Sequence, residues 1–266
     1  MFADLELARR LESAEGRAGS AFVRTRGGDA VAERIAGAYV MFDGAGSPLT
    51  QTFGLGLFEP ATEAAMAQTE GFFSKRGAAT DHEVSPLAGV ALVRELTGRG
   101  YAPLELSSVL FLDLAERLRV PALNPALNVR VAKREEQEAY AITAAAGWGA
   151  TGDMARVVTE MGRVMFAAAG YTGFVVETKG RMIATAGLVI HDGVALLAGA
   201  STVLEARGQG AQRAVLAARL AYAARAGCDL GMMVTEPGGA SQRNAERNGF
   251  RVAYTRTKWR RNNANL

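Results

Sequence analysis

Residues 202–212 read Thr-Val-Leu-Glu-Ala-Arg-Gly-Gln-Gly-Ala-Gln, the stretch whose residue types could do chemistry most directly. Arg207-Gly208-Gln209-Gly210-Ala211 sets two glycines around one polar residue where the chain enters a helix-forming run. Glycine lets the backbone turn so that successive N–H groups face one point. The start of a helix adds unpaired donors and the positive end of a dipole. Together these make a receptor for a pyrophosphate. The bland alternative is a glycine-rich turn with an exposed arginine. A P-loop would need Gly-Lys followed by Ser or Thr, whereas Ala211-Gln212-Arg213 follows Gly210. A dinucleotide turn would need a third glycine at its set spacing and parallel strands.

The elements around this loop follow from periodicity. Upstream, 129–133 alternates like a strand, 135–146 reads as a helix ending at Gly147, and 153–169 carries apolar residues at helical spacing. Three β-rich runs follow, 173–178, 181–190 and 194–203, separated by Lys179-Gly180 and Asp192-Gly193. Both dipeptides suit the positive φ of tight antiparallel hairpins. A helix over 211–226 closes at Gly227, 230–235 is a strand, 240–248 a short helix before Gly249, and 250–259 the last strand. The order β-α-α-β-β-β-α-β-α-β implies an α/β fold with a mixed sheet and helices on both faces.

The first half repeats the tail of that order. A helix over 62–75 precedes Gly77, a short strand at 82–84 precedes Pro86, a helix over 90–96 precedes Gly100-Tyr101, and 103–112 is a strand. Gly77 matches Gly227, Pro86 matches Pro237, and Gly100-Tyr101 matches Gly249-Phe250. Upstream, 35–42 and 50–57 can pair as strands. Pro121 and Pro125 mark an extended connector. The expectation is an internal duplication, with one domain over 1–120 and a second over 126–266.

Composition bounds the function. Of 266 residues, 49% are hydrophobic and 21% charged, enough apolar material for one or two cores. The net charge of +3 makes no case for nucleic acid, and the basic Lys258, Arg260 and Arg261 read as a solvated chain end. Cys228 is the single cysteine, which excludes an internal disulfide and points to a reducing cytoplasm. His82 and His191 have no companion ligands at metal-site spacing, so no metal is expected. No run reaches the roughly 20 apolar residues of a membrane span, and residues 1–17 lack a signal-peptide core.

Residues 207–212 resemble the pyrophosphate loop of the GNAT family of acyl-CoA-dependent N-acetyltransferases, Arg/Gln-x-x-Gly-x-Gly/Ala, with Gln212 in place of the final small residue. The element order over 128–259 is similar to that family's throughout, and Ser241–Phe250 resembles its closing helix and Gly-Phe exit. Residues 30–115 resemble it in architecture only, because Glu59-Pro60 stands where a second phosphate loop would be. The resemblance implies a tandem GNAT fold with acetyl-CoA as co-substrate. It puts Thr202, Val203 and Leu204 beside the pantetheine arm, and Arg207, Gly208, Gln209, Gly210, Ala211 and Gln212 around the pyrophosphate.

Direct attack by an amine needs a base for the ammonium proton and an acid for the leaving thiolate. Many members of the family carry a tyrosine where this chain has Ala245. Ser241 resembles the serine of members that acetylate protein N-termini, and the resemblance implies a hydrogen bond to the sulfur, with Asn244 holding the cofactor. The alternative for Ser241 is a helix N-cap. For the base, Glu236 and Glu177 both stand, and each can equally be a surface carboxylate. Cys228 reads as a small buried thiol. The function implied is acetyl transfer to a primary amine, on a small molecule or peptide. Its rivals are an acetyl-CoA sensor without turnover and a structural tandem, and a homodimer is compatible with either.

Overall fold

The structure, a computed structural model, describes residues 2–115 and 124–261. The chain forms two compact units, one of residues 1–112 with 234–266 and the other of residues 113–233. These units do not coincide with the halves expected from chain order. The C-terminal segment folds with the first unit because its last strand pairs there along both edges.

The first unit opens with helix α1, Leu5–Arg26. Asp4 caps it, accepting from the Leu7 amide at 2.9 Å, and its Leu7, Leu11, Ala18 and Phe22 are buried. Strands β1 (Val31–Ile35) and β2 (Ala38–Phe42) form a hairpin, and β3 (Gln51–Phe53) pairs with β2. The sequence suggests one strand over 35–42, but Ala36 and Gly37 turn there at φ 44° and 72°. Alanine at the first turn position is a poor signal for such a turn, so the break is not legible from residue type. Helix α2 (Glu63–Ser74), β4 (Thr80–Val84), helix α3 (Val90–Gly98) and β5 (Ala102–Asp113) follow.

The second unit contains β6 (Asn128–Val131), α4 (Gln137–Gly147), α5 (Gly152–Ala167), β7 (Tyr171–Thr178), β8 (Arg181–His191), β9 (Val194–Thr202), α6 (Ala211–Arg225) and the start of β10 (Leu230–Thr235). Both expected hairpins form, with Lys179-Gly180 and Asp192-Gly193 at positive φ. Pro121 of the expected connector lies outside the described residues, and Pro125 sits in a turn closed by Leu127 N–H to the Asn124 carbonyl. Within this unit β6, β7, β8 and β9 run antiparallel in that order, and β10 joins β9 in parallel.

Helix α7 (Ala240–Arg247) and β11 (Arg251–Arg261) belong to the first unit. Strand β11 is antiparallel to β4 on one side and to β5 on the other. Its Arg256 is 2% exposed, pairs with Glu83 on β4, and reaches Glu12 and Glu15 on α1. Arg260 grips Asp81 with two hydrogen bonds of 2.8 and 2.7 Å. These ion pairs register β11 in its slot beside β4.

The matched glycines close their helices in the same way. Gly77 and Gly227 donate to Ser74 and Ala224, while the next residues, Ala78 and Cys228, donate to Phe73 and Ala223. Gly100 and Gly249 donate to Thr97 and Glu246, and Tyr101 and Phe250 donate to Leu96 and Ala245. Each glycine holds a positive φ, the left-handed stop of a helix. Helix α4 of the second unit ends with the same two bonds, from Gly149 to Ala146 and from Ala150 to Ala145, so the cap is a general helix stop that the matched glycines share.

Candidate functional site

The site is built where β9 runs into α6. Strand β10 pairs with β9 at only three positions, Leu230–Val194, Gly231–Ala195 and Met232–Leu196. Strand β9 continues to Thr202, so from Leu197 onward its edge on that side has no ladder with β10. Unpaired strand backbone is a set of donors and acceptors for an extended ligand. That edge leads directly into the glycine loop.

In the loop, Gly208 and Gly210 adopt φ of 79° and 89°, and a Cβ on either would meet open space. Gly210 is the N-cap of α6, and no side chain caps the helix. Among the described residues, the backbone bonds of this turn leave the amides of Gly208, Gln209 and Gly210 without a backbone acceptor. The first amides of α6 point the same way by helix geometry. The result is an open cradle of N–H groups at a positive dipole end.

The other loop side chains brace the cradle. Arg207 donates to the Thr202 carbonyl at 3.3 Å and to the Gly147 carbonyl at 2.9 Å. Gln212 donates to the Thr202 hydroxyl at 2.7 Å, and Asn124 donates to the Gln209 carbonyl at 3.3 Å. The Val203 amide is engaged by the Ile183 carbonyl on β8, and the Leu204 carbonyl accepts from the Arg207 amide. Ala211 is buried and begins α6. Nothing in the sequence pattern signalled Asn124 or Gly147 as part of this loop's support.

The corresponding turn of the first unit is closed. Gly54 and Gly56 also hold positive φ, but the ring of Phe58 lies where a Cβ on Gly54 would stand, 2.4 Å away. Leu55 and Leu57 are each 1% exposed, and Arg9 donates to the Leu57 carbonyl at 2.6 Å. This turn is packed with buried side chains as far as Phe58, and Glu59-Pro60, which follow it, are exposed.

Solved structures with the same architecture exist. A GCN5-related N-acetyltransferase from Kribbella flavida superposes with a TM-score of 0.69 at 22% identity, covering 97% of both chains. A tandem GNAT protein from the clavulanic acid biosynthesis pathway does so at 0.60 and 14% identity, covering 84% of this chain and 82% of its own. The chain has a tandem GNAT fold. A GCN5-related N-acetyltransferase from Sphaerobacter thermophilus also matches, with a TM-score of 0.58, 14% identity, and coverage of 79% of this chain and 71% of that one. No protein-family profile matches the sequence, and no curated protein sequence does.

The remaining residues singled out in the GNAT sequence pattern lie in the first unit. Ser241 is exposed and stands at the second position of α7. The N-cap of that helix is Gly239, so Ser241 does not cap it. Ala245, at the position of the missing tyrosine, is fully buried. Asn244 is half-buried, and its carbonyl accepts from the Asn248 side chain at 2.7 Å. Glu236 is exposed and lines an open groove of about 760 Å³ with Pro103, Leu104, Glu105, Leu106, Ser107 and Pro237.

One alternative is now weaker, and Cys228 is the buried thiol expected. Glu177 is hydrogen-bonded by Arg130 and by Asn128, and the Arg130 guanidinium holds its carboxyl below the ordinary range. A carboxylate so stabilised is a poor proton acceptor. Cys228 is buried, and burial raises its thiol pKa, the reverse of an activated nucleophile. Among the described residues no cluster of His, Cys, Asp and Glu could hold a metal ion, and no helix is long and apolar enough to cross a membrane.

Proposed function

We propose that this protein transfers an acetyl group from acetyl-CoA to a primary amine. The observation that carries the reading is the unladdered edge of β9 running into an uncapped, open glycine turn. An extended amide-bearing arm suits the first, and a pyrophosphate suits the second. The residues present fit the cofactor: Thr202, Val203 and Leu204 flank the arm, and residues 207–212 hold the phosphates. The names of structures sharing the fold, N-acetyltransferases among them, support the same activity.

When bound, the cofactor supplies the activated acetyl thioester. In this reading Glu236 accepts the ammonium proton, directly or through a water, and frees the nitrogen lone pair. The carbon–nitrogen bond forms as the carbon–sulfur bond breaks, the extra proton on the attached nitrogen passes to the departing sulfur, and Ser241 steadies that sulfur with a hydrogen bond. Asn244 assists in holding the cofactor. We propose also that 1–120 and 126–266 are the two copies of the duplication, only the second keeping the cofactor loop.

A second reading is favoured by one observation. The buried methyl of Ala245 replaces the usual phenol, so a chain that binds acetyl-CoA as a sensor is consistent with the fold. Following CoA release across a panel of small amines and short peptides separates the two. Release above the uncatalysed rate supports the transferase. Tight acetyl-CoA binding with no release supports the sensor.

A further inference from the structure

Helix α6 carries one charged side chain into the interior of the second unit. Arg219 is 3% exposed and lies just over two turns beyond the glycine loop. Its Nη1 donates to the Gly187 carbonyl at 3.0 Å and to the Ala198 carbonyl at 3.5 Å. Nε lies 3.4 Å from the Val215 carbonyl of its own helix. Gly187 and Ala198 flank the place where β8 and β9 slip register. Thr185 faces Ser201, yet Gly187 faces Ala198, so β9 contains one residue more than β8 over that stretch. Gly199, at φ +60°, absorbs the extra residue as a bulge.

A bulge turns backbone carbonyls out of the ladder, and Arg219 collects two of them. The surroundings are polar but uncharged. The Tyr171 hydroxyl occupies the space a Cβ on Gly187 would need, and it lies 2.8 Å from the Tyr140 hydroxyl. Burial lowers the guanidinium pKa to about 10, opposed by the two tyrosines, so it stays charged at neutral pH. Among the described residues no ion pair gives it a carboxylate.

The bulge also marks where a bound arm must end. An arm starting at the loop and following the free edge of β9 meets β10 again at Leu196. Its reactive end therefore lies beside Leu197–Gly199. We infer that Arg219 is a positioning residue for acyl transfer, fixing the β9 bulge against the thioester and setting an unneutralised positive charge behind the carbonyl where negative charge develops. This rests on the acyltransferase reading. Preorganised charge of this kind acts most strongly away from water.

The test is the infrared carbonyl stretch of acetyl-CoA, labelled with carbon-13 at the thioester carbonyl and bound to the full-length chain. In the wild type the bound band should lie below that of free acetyl-CoA. Arg219→Met should return it toward the free value, and Arg219→Lys should leave an intermediate shift. CoA affinity by calorimetry should change by less than about threefold in both, because the loop donors are untouched. A merely structural arginine would lower the melting temperature and the fraction of binding-competent chains, with the band of the bound fraction unmoved. That result overturns the inference, and so does an unshifted band in the wild type, which needs no variant to fold. A wild type that binds no CoA would overturn the acyltransferase reading as well; normal CoA binding with an unshifted band overturns the role of Arg219 alone.

Discussion

The guanidinium of Arg207 donates to the carbonyl of Gly147 at 2.9 Å, tying the glycine loop to the last residue of α4. The approach is close enough that a Cβ on Gly147 would stand 2.9 Å from the Thr202 amide. The arginine of the loop thus serves as a brace, with its remaining donors and its charge available to a phosphate. Loop shape and loop charge are carried by one side chain.

Arg207→Ala should therefore weaken acetyl-CoA binding by about tenfold or more and lower stability by about 1 kcal/mol, the typical worth of a lost hydrogen bond. Arg207→Lys should keep most of the charge effect while losing the forked contact to Gly147 and Thr202. Calorimetry and urea unfolding on the two variants separate the contributions. Equal affinity for Arg207→Ala and wild type would remove Arg207 from the phosphate site.

Phe58 reports on the closed copy of the loop. Its side chain is half-buried with the ring over Gly54 and the Cβ against Gly37, so Phe58→Ala should lower stability by about 1–2 kcal/mol from lost burial of the ring. It should not create a second cofactor site, because the Arg9 bond to Leu57 and the buried Leu55 and Leu57 remain. Unfolding midpoints and acetyl-CoA stoichiometry on the same preparation check both statements.

Burial raises the Glu12 carboxyl to about 7 from an unfolded value near 4.5, although Arg256 opposes the shift. Between those values the folded chain binds the proton and the unfolded chain does not. Glu12 therefore favours folding at low pH and loses that contribution as pH rises from about 4.5 through about 7. Melting temperatures measured across this window should fall more steeply in the wild type than in Glu12→Gln, which keeps the side chain neutral throughout. Parallel profiles would show that Glu12 does not titrate in the window.

Ser241→Ala should lower turnover with a working amine by about 100–1,000-fold if the hydroxyl assists the leaving thiolate. Because Gly239 and not Ser241 is the N-cap, the substitution should leave the melting temperature nearly unchanged. Rates and melting curves together decide. Unchanged turnover would remove Ser241 from this step, the sulfur then taking its proton from water or from the protonated nitrogen of the tetrahedral adduct without the hydroxyl's help.

Local chemistry made much of this legible in advance. The glycines at 77, 100, 227 and 249 announce helix ends, and Lys179-Gly180 and Asp192-Gly193 announce hairpins, because each conformation favours particular residue types. What stayed hidden depends on distant partners. Nothing near Arg256 signals that it will be buried against Glu12 and Glu15, far away in the chain. Nothing in the alanine-rich run of α6 distinguishes the buried Arg219 from the exposed Arg213. The pairing of β11 with β4 and β5, which draws the C-terminal segment into the first unit, is a choice of partner that periodicity does not encode.

Binding of one acetyl-CoA through the Gly208–Gly210 turn is measured by calorimetric titration of wild type and Gly210→Trp. A Cβ on Gly210 meets open space, so the indole would fill the phosphate cradle; at φ +89° any side chain also strains the turn, so the variant's fold is checked alongside its binding. The wild type should take up one acetyl-CoA per chain and the variant none, with unchanged far-ultraviolet circular dichroism. Two equivalent sites per chain, or undiminished binding by a folded Gly210→Trp, would contradict that mode of binding.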